Sequence, residues 1–196
     1  MSRLRVRGRV LPAVVVAAAV LLSGCSGDDP DPGPSAATPS EPPGCTVLDT
    51  ADVALLLGVD DVEAQDATTS LSGRDPNLGC RWESAVDGTA LTVKVVSTMD
   101  DQTPEAAVAG WRQACSTPTD LDLAGAVGAI CGDGAFDREG TELFAVYDDG
   151  GMTMRLGLRR DGGAEADDPA TLVDVARRLT DDVTLDDYER LVDRVS

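Results

Sequence analysis

The amino-acid sequence predicts an α+β fold, in which helices pack on an antiparallel β-sheet. Two pairs of apolar or alternating segments are each joined by a short turn containing aspartate and glycine, which is typical of β-hairpins. Other segments begin with capping residues and carry apolar side chains at helical spacing. The order helix, hairpin, helix, strands and helix favours a single α+β domain over residues 45–196.

The first predicted helix covers Leu48–Leu57, where apolar residues recur at helical spacing. Asp49 or Thr50 is placed to cap its first turn, and Gly58 follows its last residue. A glycine just past the periodic residues is a stop signal, so we expect the helix to end there.

The first hairpin is predicted from Leu78–Ala85 and Thr89–Thr98, two segments that alternate or run apolar. Asp87 and Gly88 lie between them, and this dipeptide is a strong signal for a tight turn. Lys94 is the only lysine of the chain. Because it occupies an alternating strand position, we expect its ammonium to face solvent rather than to serve as a catalytic amine.

The second predicted helix starts at Thr103, because Pro104 suits a first helical position. Its body, Ala106–Cys115, carries Val108 and Trp111 at helical spacing. The helix therefore follows the first hairpin directly.

The second half of the domain is predicted to contain a further strand and a second hairpin. Gly125–Ile130 is a small apolar segment that predicts a strand, and residues 131–134 predict a tight turn after it. Glu142–Tyr147 and Met152–Leu158 predict two further strands, joined by residues 148–151 in a second hairpin.

Two helices are expected to close the domain. Asp168 and Pro169 open the first, and Thr184 is placed to cap a short terminal helix through Tyr188 and Leu191. The apolar stripe of the first consists of Leu172, Val173, Val175, Ala176 and Leu179.

Four cysteines lie in the domain, at Cys45, Cys80, Cys115 and Cys131. An even number in an exported chain predicts two disulfides, although four cysteines permit three connectivities. We favour Cys45 with Cys80 and Cys115 with Cys131, because neighbours in sequence are the easiest to join. A zinc site is the alternative, but the chain has no histidine and no Cys-x-x-Cys pair.

The N-terminal segment predicts export. Four arginines precede Val10–Leu22, an apolar stretch of 13 residues that is too short to span a bilayer of about 30 Å. Leu22, Ser23, Gly24 and Cys25 close this stretch in a way that resembles bacterial lipoprotein signals. The resemblance implies that residues 1–24 are removed and that Cys25 carries acyl chains, which anchors the protein on the outer face of the cell membrane. An ordinary secretory signal or an uncleaved anchor is the alternative.

The charge of the mature chain is strongly negative. Four of the 16 basic residues and none of the 35 acidic residues precede Cys25, so the remainder carries 12 basic and 35 acidic residues, a net charge of −23. Such a surface repels nucleic acids and anionic lipid headgroups. We therefore expect no nucleic-acid partner and membrane contact through the lipid alone.

Residues 25–44 are predicted to be the lipidated cysteine and a linker. Proline lacks an amide donor and fixes φ, so a proline-rich segment with no periodic apolar face favours neither helix nor sheet. As polyproline II, residues 26–44 would reach roughly 60 Å, and as a flexible coil they would average about 25 Å. The prolines of this segment are Pro30, Pro32, Pro34, Pro39, Pro42 and Pro43.

Several short motifs resemble a group of actinobacterial lipoproteins of unknown function. They are Cys45 with Leu48, residues 56–58 at the end of the first helix, residues 80–82 (Cys-Arg-Trp), and residues 132–136 (Gly-Asp-Gly-Ala-Phe). Members of that group are similar to the extracellular sensor domain of a mycobacterial serine/threonine kinase and, more remotely, to Mog1/PsbP-like folds. The resemblance implies an α+β fold and no catalytic residues. At Cys131 this sequence differs, because such lipoproteins often have an apolar residue there.

The residues argue against an enzyme. Without histidine, neither Ser-His-Asp nor Cys-His catalysis is available, and no cofactor or metal is expected. Asp120 and Asp122 precede Gly125, but the full calcium-loop pattern fails. Paired aspartates are frequent in predicted turns and helix starts, and Trp82 and Trp111 beside cysteines are typical of core packing.

Two functional hypotheses remain. The first is a non-catalytic module, anchored outside the membrane, that binds a small molecule or a lipid in a cleft between the sheet and the helices. The alternative is a protein-interaction or structural component of the cell envelope whose acidic surface meets a basic partner.

Overall fold

A computed structural model describes residues 42–70, 76–98, 102–133 and 139–195. The predicted signal, Cys25 and the linker up to residue 41 lie outside the described residues. So do residues 134–136 of the glycine-rich motif.

The described domain contains four α-helices and seven β-strands. The helices are α1 (Thr50–Leu57), α2 (Pro104–Gln113), α3 (Asp168–Asp182) and α4 (Leu185–Val192), and a 3-10 helix at Pro43–Cys45 precedes them. The strands are β1 (Glu63–Asp66), β2 (Leu78–Glu83), β3 (Ala90–Ser97), β4 (Pro118–Asp120), β5 (Ala126–Cys131), β6 (Thr141–Tyr147) and β7 (Met152–Arg159).

All seven strands form one antiparallel sheet in the order β1-β2-β3-β7-β6-β5-β4. The two predicted hairpins, β2-β3 and β6-β7, lie side by side because β3 pairs with β7, which places Val93 opposite Leu156. The structure therefore confirms the predicted α+β class, both hairpins and the helix near the C-terminus.

One face of the sheet, the closed face, is covered by helices. Its side chains alternate with outward ones along each strand, and Trp82, Leu91, Leu143 and Leu156 among them are fully buried. Helices α3 and α4 contact the strands from this side, and α1 packs beside α3. The main hydrophobic core fills the layer between them.

The opposite face carries a smaller core. Helix α2 contacts β5 and β6 there and buries Val108 and Trp111 against Val146. The Trp111 ring stacks on Phe144 with a centroid distance of 6.0 Å. Both tryptophans are buried, as the sequence indicates: Trp82 on the closed face and Trp111 under α2.

Each disulfide fastens a covering segment to a different face. Cys45 bonds to Cys80 and ties the 3-10 helix to β2 on the closed face. Cys115 bonds to Cys131 and ties the end of α2 to β5 on the opposite face. This is the predicted pairing.

The structure adds details that the sequence patterns do not indicate. Strands β1 and β4 are new, and both are short and mostly exposed edge strands. Helix α1 begins at Thr50, since the Asp49 carboxylate accepts hydrogen bonds from two amides of its first turn. Pro43 and Gly44, the last residues of the predicted linker, lie in the 3-10 helix, where proline is tolerated at the first position.

Candidate functional site

The open face is the part of the sheet surface opposite the closed face that α2 leaves uncovered. It consists of the outward side chains of β2, β3 and β7 with the facing residue of β6. A depression of about 330 Å³ lies on it. The residues that line it are Arg81, Ala90, Thr92, Lys94, Glu139, Glu142, Arg155, Gly157, Leu158 and Arg159.

Strand register sets the arrangement of these residues. In the central row, Arg81 pairs with Thr92, Thr92 with Gly157, and Gly157 with Glu142. In the next row, Lys94 pairs with Arg155. In the central row, the small residues Thr92 and Gly157 lie between the longer charged residues Arg81 and Glu142. Thr92 and Gly157 therefore form the floor of the depression.

Gly157 keeps this floor low. A Cβ atom built on Gly157 would have its nearest neighbour, Cγ of Glu142, at 4.0 Å, so the space above the residue is open. The backbone of Gly157 has no positive φ that would require glycine. A larger side chain at this position would therefore fill the depression without straining the strand.

Two carboxylates organise three of the arginines. Glu142 is buried, and its two carboxylate oxygens each accept a hydrogen bond from Nη2 of Arg155 at 3.0 Å. Glu83 lies between two guanidinium groups: Nη2 of Arg81 is 3.0 Å away and Nη2 of Arg159 is 3.8 Å away. Arg155 is therefore neutralised by its own partner, whereas Arg81 and Arg159 share one carboxylate.

Lys94 has no such partner. Within the described part of the chain, no carboxylate lies at ion-pair distance from its ammonium. Its cross-strand neighbour on the same face is Arg155, and like charges directly opposite one another destabilise a sheet. The open face thus concentrates positive charge at its centre, on a domain whose net charge is strongly negative.

A second, larger depression lies among α1, α3 and α4 and has a volume of about 530 Å³. Its arginines face several aspartates, and two of them are in ion pairs: Arg178 with Asp52, at 2.7 Å, and Arg190 with Asp187. The first pair joins α3 to α1 and the second lies within α4, so both stabilise the cover of the closed face.

Several described members of the aspartate pairs have structural partners. Asp148 and Asp149 occupy the two left-handed positions of the β6-β7 turn, with φ of 55° and 54°, and the Asp148 carboxylate accepts the Leu185 amide at 2.8 Å. Asp187 forms a capping box with Thr184, whose hydroxyl and amide lower the pKa of its carboxyl.

Asp168 is the most deeply buried of these carboxylates. It accepts hydrogen bonds from Nε of Arg160 at 2.7 Å and from the amide of Glu165 at 2.8 Å. Burial lowers the pKa of Arg160, but the hydrogen bond and charge of Asp168 outweigh this effect and hold that pKa above its usual value. The pair fastens the chain between β7 and α3.

Asp120, considered above as a calcium ligand, lies in an ion pair. Its carboxylate is 2.5 Å from Nη2 of Arg112, at an exposed position on β4. In the described segments no cluster of three metal-ligating residues occurs, and no helix there is long and apolar enough to cross a bilayer. Burial raises the pKa of the Tyr147 phenol, with the nearby Asp148 charge adding to the effect, so this hydroxyl stays neutral.

Sequence patterns indicated only part of this arrangement. Lys94 was expected to face outward, and it lies half-buried on the open face. The roles of Arg81, Arg155, Thr92 and Gly157 were not anticipated. Alternation along each strand could have shown which of them face outward, but only the pairing of β3 with β7 brings them together.

Comparison with models of known protein families, with curated proteins and with solved structures finds no match to this chain. The resemblance of its short motifs to actinobacterial lipoproteins therefore stays a prediction from the sequence.

Proposed function

We propose that this chain is a lipid-anchored, extracytoplasmic binding module without catalytic activity, and that its ligand is a small molecule held on the open face. The observation that carries the proposal is the depression over Thr92 and Gly157. The N-terminal signal pattern ending at Cys25 supports the location, and the proline-rich segment after it supports display at a distance from the membrane.

The two faces of the sheet support this choice of site. On the closed face, buried side chains fill the space between strands and helices. On the open face, a depression of about 330 Å³ has a volume in the range of small-molecule sites, roughly 300–1,000 Å³. Its floor is made of small residues and its walls of charged ones, which favours a polar ligand over an acyl chain.

Native mass spectrometry of the exported protein tests the proposal. We expect a bound small molecule in the wild type and its loss in Gly157→Val, because the added side chain fills the depression. Gly162→Val is the matched control, since a Cβ atom there meets no neighbour within 4 Å and Gly162 lies outside the open face. A wild-type protein with no bound molecule from any native host would contradict the proposal, and so would a ligand retained in Gly157→Val.

The anchor is tested separately. Cys25→Ala should release a folded domain into the medium, because the mature chain would then have no acyl chains to hold it. Fractionation and circular dichroism of the released protein measure the result. A Cys25→Ala variant that stayed with the membrane would contradict lipid anchoring.

A further inference from the structure

We propose that the open face binds a small soluble phosphate monoester, whose dianionic phosphate group lies over Thr92 and Gly157. The inference rests on the proposed binding function and identifies the class of its ligand. Its basis is the number and placement of charges around this floor.

The charges of the open face leave a positive excess. Four cations border the floor, namely Arg81, Lys94, Arg155 and Arg159. Two carboxylates contact them: Glu142 neutralises Arg155, and Glu83 is shared by Arg81 and Arg159. Among the described residues, Lys94 and one of the two arginines that share Glu83 therefore have no carboxylate of their own within ion-pair distance.

Two further carboxylates of the described residues lie at the rim. Glu139 lines the edge of the depression and Glu63 pairs across from Glu83 on β1, and both side chains are exposed. In the described part of the chain, neither of these carboxylates lies at ion-pair distance from the four cations, of which Arg159 is itself exposed. The centre thus matches an anion of two charges, which is what a phosphate monoester carries at neutral pH.

The geometry suits a tetrahedral group. Adjacent strands lie about 4.8 Å apart, and diagonal neighbours such as Lys94 and Arg81 are roughly 7–8 Å apart at their backbones. A group seated over Thr92 and Gly157 is then within reach of the Lys94 ammonium and of the flanking guanidinium groups. The Thr92 hydroxyl is a further donor on the floor, so several oxygens of one phosphate can be bound at once.

A small soluble ligand fits better than a membrane or a polymer. The depression is too small for more than a modest molecule, and the mature chain, at a net charge of −23, is repelled by anionic bilayers and polyanions. A phosphodiester headgroup also carries only one negative charge, which leaves one of the two excess cations unmatched.

Titration calorimetry with inorganic phosphate tests the inference on the protein purified from membranes in detergent. The wild type should bind phosphate, and Lys94→Ala should weaken binding by about tenfold or more, since a charge-assisted hydrogen bond is lost. Gly157→Val should abolish it. Arg177→Ala removes one exposed cation from α3, far from this face, and Gly162→Val adds the same side chain elsewhere, so neither should change the affinity.

A change of pH tests the number of charges. Inorganic phosphate changes from a dianion to a monoanion as the pH falls through neutrality, and a phosphate monoester does so at about pH 6, whereas sulfate remains a dianion throughout this range. We therefore expect phosphate binding to weaken from about pH 7.5 to about pH 5 while sulfate binding persists. Equal weakening of both anions would contradict recognition of a dianion.

The remaining outcomes separate this inference from the proposed function. No phosphate binding by the wild type overturns the inference, and so does an equal loss in Arg177→Ala and Lys94→Ala. Acetate or a soluble phosphodiester that binds as tightly as phosphate also overturns it. If native mass spectrometry nevertheless shows a phosphate-free ligand that Gly157→Val loses, the binding function stands and only the ligand class is wrong.

Discussion

The closed and open faces of the sheet are built from the same strands but meet different surroundings. Along β7, Met154, Leu156 and Leu158 point to the closed face and are buried by α3 and its neighbours. The alternate residues Arg155 and Gly157 point to the open face and border a depression. A period of two thus lets one strand supply hydrophobic core on one side and a polar surface on the other.

The two faces also differ in how their covers are held. The closed face has three helices over a large core, whereas α2 on the opposite face buries few apolar side chains. A disulfide secures each cover, but the contribution of each bond differs. We expect the cover of the closed face to depend mainly on packing, and α2 to depend more on its covalent bond.

Removing the disulfides one at a time should give the largest effects. The sequence separations are 35 for Cys45–Cys80 and 16 for Cys115–Cys131, so double alanine variants should lose about 4 and about 3 kcal/mol of unfolding free energy. Urea denaturation measures both values. Hydrogen exchange should show faster opening of α2 alone when Cys115–Cys131 is removed. Equal exchange along α2 and α3 in that variant would refute the proposed difference between the covers.

Truncating one side chain on each face should show how much each face contributes to the free energy of unfolding. Leu156→Ala removes a fully buried side chain from the main core and should cost about 3 kcal/mol. Thr92→Ala, on the open face of the neighbouring strand, should cost less than about 1 kcal/mol. Urea midpoints that fell equally in the two variants would show that the open face is also needed for stability.

A substitution at Asp168 tests the segment that connects β7 of the sheet to α3 of its cover, because the ion pair of Asp168 with Arg160 holds this segment in place. Asp168→Asn leaves the guanidinium with only the exposed Glu165 carboxylate, at 3.6 Å, and should cost about 2–3 kcal/mol, less than for a wholly buried pair because Arg160 keeps some exposure. Asp167→Asn is the matched control, since the Asp167 side chain makes no capping hydrogen bond. Thermal unfolding compares them, and similar losses would contradict a specific role for Asp168.

The smallest effect is expected at the start of α4. The hydrogen bonds from Thr184 lower the pKa of Asp187, so their contribution is complete above its unfolded pKa of about 4 and disappears as pH falls through the lower folded value. Acidification should therefore reduce the difference in urea midpoint between wild type and Asp187→Asn. Asp186→Asn, at the adjacent position, should show no such trend, and a difference that grew at low pH would contradict the assignment.

The sequence predicted those elements that carry their own local signals. Alternating valines marked β3, Asp87 with Gly88 marked its hairpin, and Thr184 marked α4. Strand β1 was missed because Glu63–Asp66 contains one apolar residue and lies at an exposed edge. Strand β4, three exposed residues long, has too few positions for any periodicity.

The candidate site could not be predicted in the same way, because it is made by long-range pairing. Lys94 and Arg155 are far apart in sequence, and their meeting depends on β3 lying beside β7. Alternation along each strand indicates that Lys94 and Arg155 face outward, but it does not indicate that they are neighbours. The disulfides were an exception, since joining nearest neighbours in sequence was enough to identify both pairs.

The Cys45–Cys80 bond also has a mechanical consequence. Tension applied to the chain ahead of the domain arrives at the 3-10 helix, which two backbone hydrogen bonds would hold against only a weak pull. The bond instead transfers the load to β2, an interior strand paired on both sides. A pulling force on the N-terminal segment would thus be shared by the backbone hydrogen bonds that join β2 to β1 and to β3. We expect the domain to stay folded under such a force.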